Sequence, residues 1–259
     1  MNKIFHDGNY YSETQIKQIV YDYYKLVFSR KIDRHVQMQI LFPDTLNDKS
    51  RILDYGCGMG GVSKLFFDRY GCDVDGVDIS ENELKKAKIA FGFNNKINFL
   101  LLKNFTFPRQ TYDLVFSSQV IEHVHNPGNY LSNINDMLKD DGYLLIGLPN
   151  IVNINYLINL CLYSPKRAVN HSKNMINNYN KAMDHINGWD PFHFITLSAS
   201  CGFELIKYMP TEGTPVSFFL QKIPFIGKYI YNLPFTTRLS YTMFFLFKKV
   251  KKIQIGQND

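Results

Sequence analysis

Apolar positions along this chain follow two different periods. Ile16, Ile19, Val20, Tyr23 and Tyr24 recur at helical spacing behind Ser12-Glu13-Thr14-Gln15, a pattern that caps a helix by reciprocal hydrogen bonds. A second helix is predicted over 33–42, stopping at Pro43, so residues 9–47 read as two helices and 1–47 as a helical cap. From residue 50 the pattern changes. Short apolar runs at 51–55, 72–77, 97–102, 112–117 and 142–148 alternate with amphipathic stretches at 62–70, 80–91 and 127–138. Strands alternating with helices predict an α/β architecture with a parallel sheet covered on both faces over 48–149.

After Pro149 the period is lost. Residues 150–188 are rich in Asn and apolar side chains and read as an inserted cap or lid, helical in parts. Asp190-Pro191 restores order as a helix start leading to Gly202, and 203–209 and 241–250 read as two further strands. Residues 189–259 thus complete the core. Between those strands, 210–239 carries four prolines and many aromatics, which suit packing on the sheet, an acceptor pocket, a dimer contact or a membrane contact.

Charge and cysteines narrow the field. The net charge of +6 gathers partly in Lys248-Lys249 and Lys251-Lys252, a cluster that suits a solvated tail first and a membrane surface or a phosphorylated substrate second. No Arg-rich stripe with interleaved aromatics appears, so nucleic acid is not an expected partner. The four cysteines are scattered and no Cys/His spacing suits zinc, so no metal is expected. The polar N-terminus has no secretory pattern and no apolar run is long enough to span a bilayer, which places the chain in the cytoplasm.

The sharpest feature is Asp54-Tyr55-Gly56-Cys57-Gly58-Met59-Gly60-Gly61, set between a strand and a helix. Glycines there allow a tight turn and close approach of a ligand to the main chain. The loop satisfies G-x-G-x-x-G, which alone would also admit a dinucleotide. Asp54 argues otherwise: a carboxylate before the first glycine repels a pyrophosphate and suits a cation. Asp78, at the end of the next strand, is placed to accept two ribose hydroxyls. Helix capping is the plainer role for both.

Here the sequence resembles the class I S-adenosylmethionine (SAM)-dependent methyltransferases. The carrying blocks are Leu53-Asp54-Tyr55-Gly56-Cys57-Gly58-Met59-Gly60, Val77-Asp78-Ile79-Ser80, Tyr112-Asp113-Leu114-Val115, Val120-Ile121-Glu122-His123-Val124 and residues 138–146. The resemblance covers about residues 50–150. It implies a Rossmann-like, seven-stranded, mostly parallel sheet with helices on both faces, N-terminal helices and inserted cap segments. It implies SAM as cofactor, leaving S-adenosylhomocysteine. Gly56 and Gly58 would line its methionine part and Asp54 would hold its amino group. Asp78 would bind the ribose, Ile79 would pack on adenine, and Ser117 to Gln119 would face the methionine end. The family often has an acid near the third strand's end; this chain has Leu102-Lys103-Asn104, and Asn104 can accept the adenine amino group's hydrogen bond.

Methyl transfer to a hydroxyl requires a base. His123 follows the fourth strand, and its ordinary pKa suits proton removal near neutrality, although a packed structural role fits the same setting. His185 and His193 lie in a loop holding the only Trp and read as an active-site edge. The layout is similar to methyltransferases of bacterial capsule and O-antigen pathways. That similarity implies O-methylation of a sugar or sugar nucleotide in surface-polysaccharide biosynthesis. The alternative acceptor is a small phosphorylated metabolite, a quinol or a lipid. Two further alternatives are a nicotinamide dehydrogenase and an inactive methyltransferase that partners an active subunit.

Overall fold

The computed structural model describes residues 4–6, 9–29, 34–178, 185–211 and 240–250. Ile52 and Leu53, Leu144 and Leu145, and Phe244 and Phe245 are adjacent pairs that point to opposite sides of one sheet. Both sides are covered, so these strands are apolar throughout rather than alternating. The sheet comprises β3 (Arg51–Tyr55), β4 (Asp73–Asp78), β5 (Ile97–Leu101), β6 (Tyr112–Ser118), β7 (Leu138–Pro149), β8 (Phe203–Thr211) and β9 (Thr242–Lys249). Its order is β5-β4-β3-β6-β7-β9-β8. The first five are parallel, and β9 runs antiparallel to both β7 and β8. This is the parallel sheet that the alternating pattern predicts, with the seven strands that the family resemblance implies.

One face packs on α5 (Pro127–Met137) and α8 (Pro191–Ser200). Phe194 is buried there against Trp189, Phe245 and Phe247, which pins the segment after residue 185 to the core. Burying such a ring contributes about 2–3 kcal/mol. The other face receives Phe66 of α3 (Gly61–Tyr70) and Met38, Leu41 and Phe42. Around β5, α4 (Glu81–Phe91) packs against Ile16 and Val20 of α1 (Glu13–Ser29).

The N-terminal segment differs from its prediction. The capping box forms, with Gln15 Oε1 accepting from Ser12 N and Ser12 Oγ accepting from Gln15 N. However, residues 9–11 are not helical: β1 (Ile4–His6) and β2 (Asn9–Tyr11) pair as an antiparallel hairpin. The Asp7-Gly8 pair between them in sequence is a hairpin signal. The second helix is shorter than its period suggests. It is α2 (Arg34–Gln37), then a 3-10 turn (Met38–Leu41), then extended Phe42, because Pro43 disfavours helical geometry in the residue before it. The cap after β7 contains α6 (Ile154–Cys161) and α7 (Pro165–Asn178). The aromatic stretch 212–239 lies outside the described residues.

Candidate active site

The chain reverses direction across the sheet between β3 and β6, and open α/β sheets bind ligands at that switch point, beyond the strands' carboxyl ends. Every element of the glycine motif sits there. Gly56 has φ +88°, and a Cβ on it would lie 2.3 Å from Val120 Cγ2. Gly58 has φ +52°, and a Cβ on it would meet nothing within 4 Å, because it would project into the open cleft. Gly56 N and Cys57 N both donate to Val77 O, at 2.7 and 3.1 Å, which folds the loop over the end of β4.

The two carboxylates are held differently. Asp78 Oδ2 accepts from Gly58 N and Oδ1 accepts from Ser80 N, each at 2.8 Å. These bonds brace the loop and still leave lone pairs on both oxygens. Asp54 is 1 % exposed, and its Oδ2 accepts from Ser63 Oγ at 2.6 Å. Burial is the main cause of a pKa raised to about 7; the Asp78 charge adds to it and the Ser63 hydroxyl opposes it. A cation placed beside Asp54 would favour its ionised form. Burial, followed by the charges of Asp54 and Asp78, pushes the Cys57 thiol well up, so it stays protonated.

A cleft of about 320 Å³ opens over this floor, within the range of small-molecule sites. Asp54, Gly56 and Gly58 line one side and Phe116, Ser118 and Gln119 the other. The third wall is α1, through Tyr23, Tyr24 and Phe28, together with His35 of α2. Sequence reasoning missed this wall; the apolar stripe of α1 was legible, but not which ligand-facing residues it carries.

The predicted stretch at the end of β6 divides, Ser117 from Ser118 by strand alternation and Gln119 by the positive φ it takes just past the strand's end. Ser117 is fully buried, its hydroxyl 2.7 Å from Tyr130 Oη, and it is absent from the cleft wall. Ser118 and Gln119 do line the cleft. Ser118 Oγ and Gln119 Nε2 are buried there with no hydrogen-bond partner, and Gln119 holds φ +58°. A buried polar atom without a partner is costly, and so is a non-glycine residue at positive φ. Their coincidence marks a place where a polar ligand would complete the structure. Ile79 is 69 % exposed at the end of β4, an apolar surface open to a flat ring. Asn104 is exposed in the short turn after β5.

Just beyond Gln119 the adjacent Glu122 and His123 meet His185, 62 positions further along the chain. The His123 and His185 rings are 5.0 Å apart, edge to face. Glu122 is 1 % exposed, and one ligand-capable atom from each of Glu122, His123 and His185 lies within 4.8 Å of the other two. Such a set is chemically able to hold a divalent ion as well as to move a proton. The backbone fastens it: Glu122 O accepts from Ile186 N and Asn187 N at 2.9 and 3.0 Å, and Asn187 Nδ2 donates to Val124 O. His193 does not join them. Its ring is 83 % exposed and pairs with Asp190, which also caps α8.

A family profile described as "Methyltransferase domain" matches residues 27–208, about seven-tenths of the chain. The chain belongs to this methyltransferase family. Among curated relatives, the phosphoethanolamine N-methyltransferase of Plasmodium falciparum is 30 % identical over 155 residues, 56 % of this chain and 56 % of that protein. A ubiquinone biosynthesis O-methyltransferase of Rhodopseudomonas palustris is 32 % identical over 128 residues, 47 % of this chain and 46 % of its own length. This methyltransferase thus spans about half the length of the curated relatives it matches. A solved structure of Haemonchus contortus phosphoethanolamine N-methyltransferase 2, in complex with S-adenosyl-L-methionine, shares the fold. Its TM-score is 0.59 at 19 % identity, over 93 % of this chain and 58 % of that one.

The residues of the cleft fit SAM. A buried carboxylate faces a space that admits a cation, and a second carboxylate with lone pairs to spare stands at the end of the next strand. Gly58 leaves the approach open, and Ser118 and Gln119 offer polar atoms lacking partners.

Proposed function

We propose that this chain transfers the methyl group of SAM to an oxygen or nitrogen of a small phosphorylated metabolite, a quinol or a lipid, with His123 receiving the proton. The observation that carries the reading is the convergence at one end of the sheet of a cation-compatible carboxylate pocket and an imidazole pair beside a buried carboxylate. The relatives favour these acceptors over a sugar: those reported above are named for phosphoethanolamine and for ubiquinone biosynthesis.

When bound, SAM supplies an electrophilic methyl on a good leaving group. The chain's residues do the remaining work. Ionised Asp54 holds the α-ammonium group, Asp78 accepts the ribose hydroxyls, Ile79 packs on adenine and Asn104 accepts from its amino group. Gln119 and Ser118 orient the methionine end, and alignment of donor with acceptor lowers the barrier. His123 takes the proton from the attacking group. The Glu122 carboxylate stabilises the imidazolium so formed, and His185 positions the ring from the far side of the pair.

The test offers purified protein and labelled SAM to phosphoethanolamine, a catechol-type quinol and sugar nucleotides in parallel. Transfer to either of the first two supports the reading. Transfer to sugar nucleotides alone would return the polysaccharide acceptor to first place. His123→Ala should lower turnover roughly 100-fold or more with SAM affinity unchanged. Full turnover in that variant would remove His123 from the role.

A further inference from the structure

We propose that the cap formed by α6 and α7 docks on an anionic lipid bilayer. This goes beyond the methyl-transfer reading and does not depend on it.

Two observations carry the inference. The first is apolar exposure. In α6, Tyr156, Leu157 and Ile158 are all exposed, as are Cys161, Leu162 and Tyr163, where the chain turns toward α7. A contiguous run of large apolar side chains like this one is normally covered. In α7, Ala168 and Met175 are half-buried seven residues apart, while Val169 and Ile176, one position on, form an exposed stripe; Ile176 is 77 % exposed. The second is charge. From residue 142 to residue 183 the sequence contains no Asp or Glu, yet it holds Lys166, Arg167, Lys173 and Lys181. Lys166 and Lys173 are exposed on α7 beside the apolar stripe, and Arg167 is exposed near the turn, where its Nη1 donates to Leu162 O.

The combination selects the occupant. Apolar side chains flanked by cations alone, with tyrosines near the turn, match the interface of an anionic bilayer, where rings sit at headgroup depth and lysines meet phosphates. A second copy of this chain fits less well. A two-fold contact through the same patch would bring the Lys166 and Lys173 cations of one copy up against the same cationic patch of the other, with no carboxylate from this stretch to pair them. Among the described residues no helix is long and apolar enough to cross a membrane, so contact would be peripheral. The membrane contact that the sequence suggested at 210–239 lies outside the described residues; this patch is a different one.

The chain provides its own probe site. Cys57, Cys72 and Cys201 are buried and Cys161 is exposed beside Leu162 and Tyr163, so a thiol-reactive, environment-sensitive fluorophore on the native protein reports from the cap. Vesicles of phosphatidylcholine alone are compared with vesicles containing about 30 % phosphatidylglycerol. The labelled protein should show a blue shift and co-sediment at least about tenfold better with the anionic vesicles, and about 0.5 M salt should reduce the binding. Lys166→Glu with Lys173→Glu should abolish the preference. Leu162→Ser with Ile176→Ser should abolish the blue shift. Both variants should retain SAM binding and circular dichroism. No blue shift with anionic vesicles, equal binding by the charge-reversed variant, or a lipid-independent dimer that shields the probe would each overturn the proposal.

Discussion

Two buried aspartates on neighbouring strands lead opposite lives. Asp75, toward the amino end of β4, is fully engaged. Its Oδ2 accepts from Arg51 Nε and Nη2 at 3.1 and 2.8 Å and from Tyr112 Oη at 2.9 Å, and its Oδ1 accepts from Asn98 Nδ2 at 3.4 Å. Burial and then the Asp75 carboxylate push the Tyr112 phenol up, so it remains a donor. Asp54, at the carboxyl end of β3, has the Ser63 hydroxyl as its hydrogen-bond donor and a pKa raised to about 7. One end of the sheet neutralises its buried charge within the protein. The other leaves the counter-charge to be supplied from outside, and that asymmetry separates a structural carboxylate from a binding one.

The sharpest way to break the comparison is Asp75→Ala. It strands a buried phenol and a half-exposed guanidinium and should cost about 3 kcal/mol of stability, read from urea midpoints, with SAM affinity of the folded protein unchanged. A loss of SAM affinity instead would mean that the two ends are coupled. Asp54→Asn should invert the pattern. SAM affinity should fall roughly 30-fold, about 2 kcal/mol, by calorimetry. Stability at pH 8 should hold or rise. The folded pKa lies above the unfolded value of 3.8, so the protonated form is the one folding favours, and that contribution is lost as pH rises through about 7. Asparagine never ionises there.

Binding should run the other way with pH. The donor's cation needs Asp54 ionised, so below about pH 7 wild-type affinity should fall by up to tenfold per unit, about 1.4 kcal/mol. Titrations from pH 5 to 9 would show it, and a slope that persists in Asp54→Asn would assign the effect elsewhere.

The same contrast explains what was legible in the sequence. Asp54 and Asp78 announced themselves because local punctuation, Gly56 and Gly58 on one strand end and Ser80 on the next, fixes their backbone setting within a few residues. Asp75 carried no such signal; its partners Arg51, Asn98 and Tyr112 come from three other strands, and only the sheet order brings them together. His123 and His185 were each singled out, but their meeting depends on backbone bonds from Ile186 and Asn187 to Glu122, 64 and 65 positions apart. The alternation that predicted the sheet worked because apolar strand runs alternate with helices whose ends carry clear signals, Gly71 after α3, Ser80 before α4 and Pro127 at the start of α5. The period was hidden in α6 because its eight residues make barely two turns, with Asn155 and Asn159 alone marking the polar face, and it missed β1–β2 because three-residue strands are too short to show one.

The smallest effect tests the cause assigned to Asp54 itself. Ser63 is fully buried, and its hydroxyl donates to Asp54, which favours the ionised form. Ser63→Ala removes that donor while keeping the burial that raises the pKa. The midpoint of the SAM-affinity profile should therefore move alkaline by about one unit, since a hydrogen bond to a charged group is worth roughly 1.5 kcal/mol. At pH 7 the variant should bind SAM severalfold more weakly. At pH 9 the two proteins should converge, because Asp54 is then ionised in both and the lost bond weakens the empty and occupied sites alike. Stability should respond with the same sign, falling by about 1 kcal/mol at pH 9 and by less at pH 5, where Asp54 is protonated. A uniform loss of affinity at every pH would show that Ser63 touches the donor directly rather than acting through Asp54.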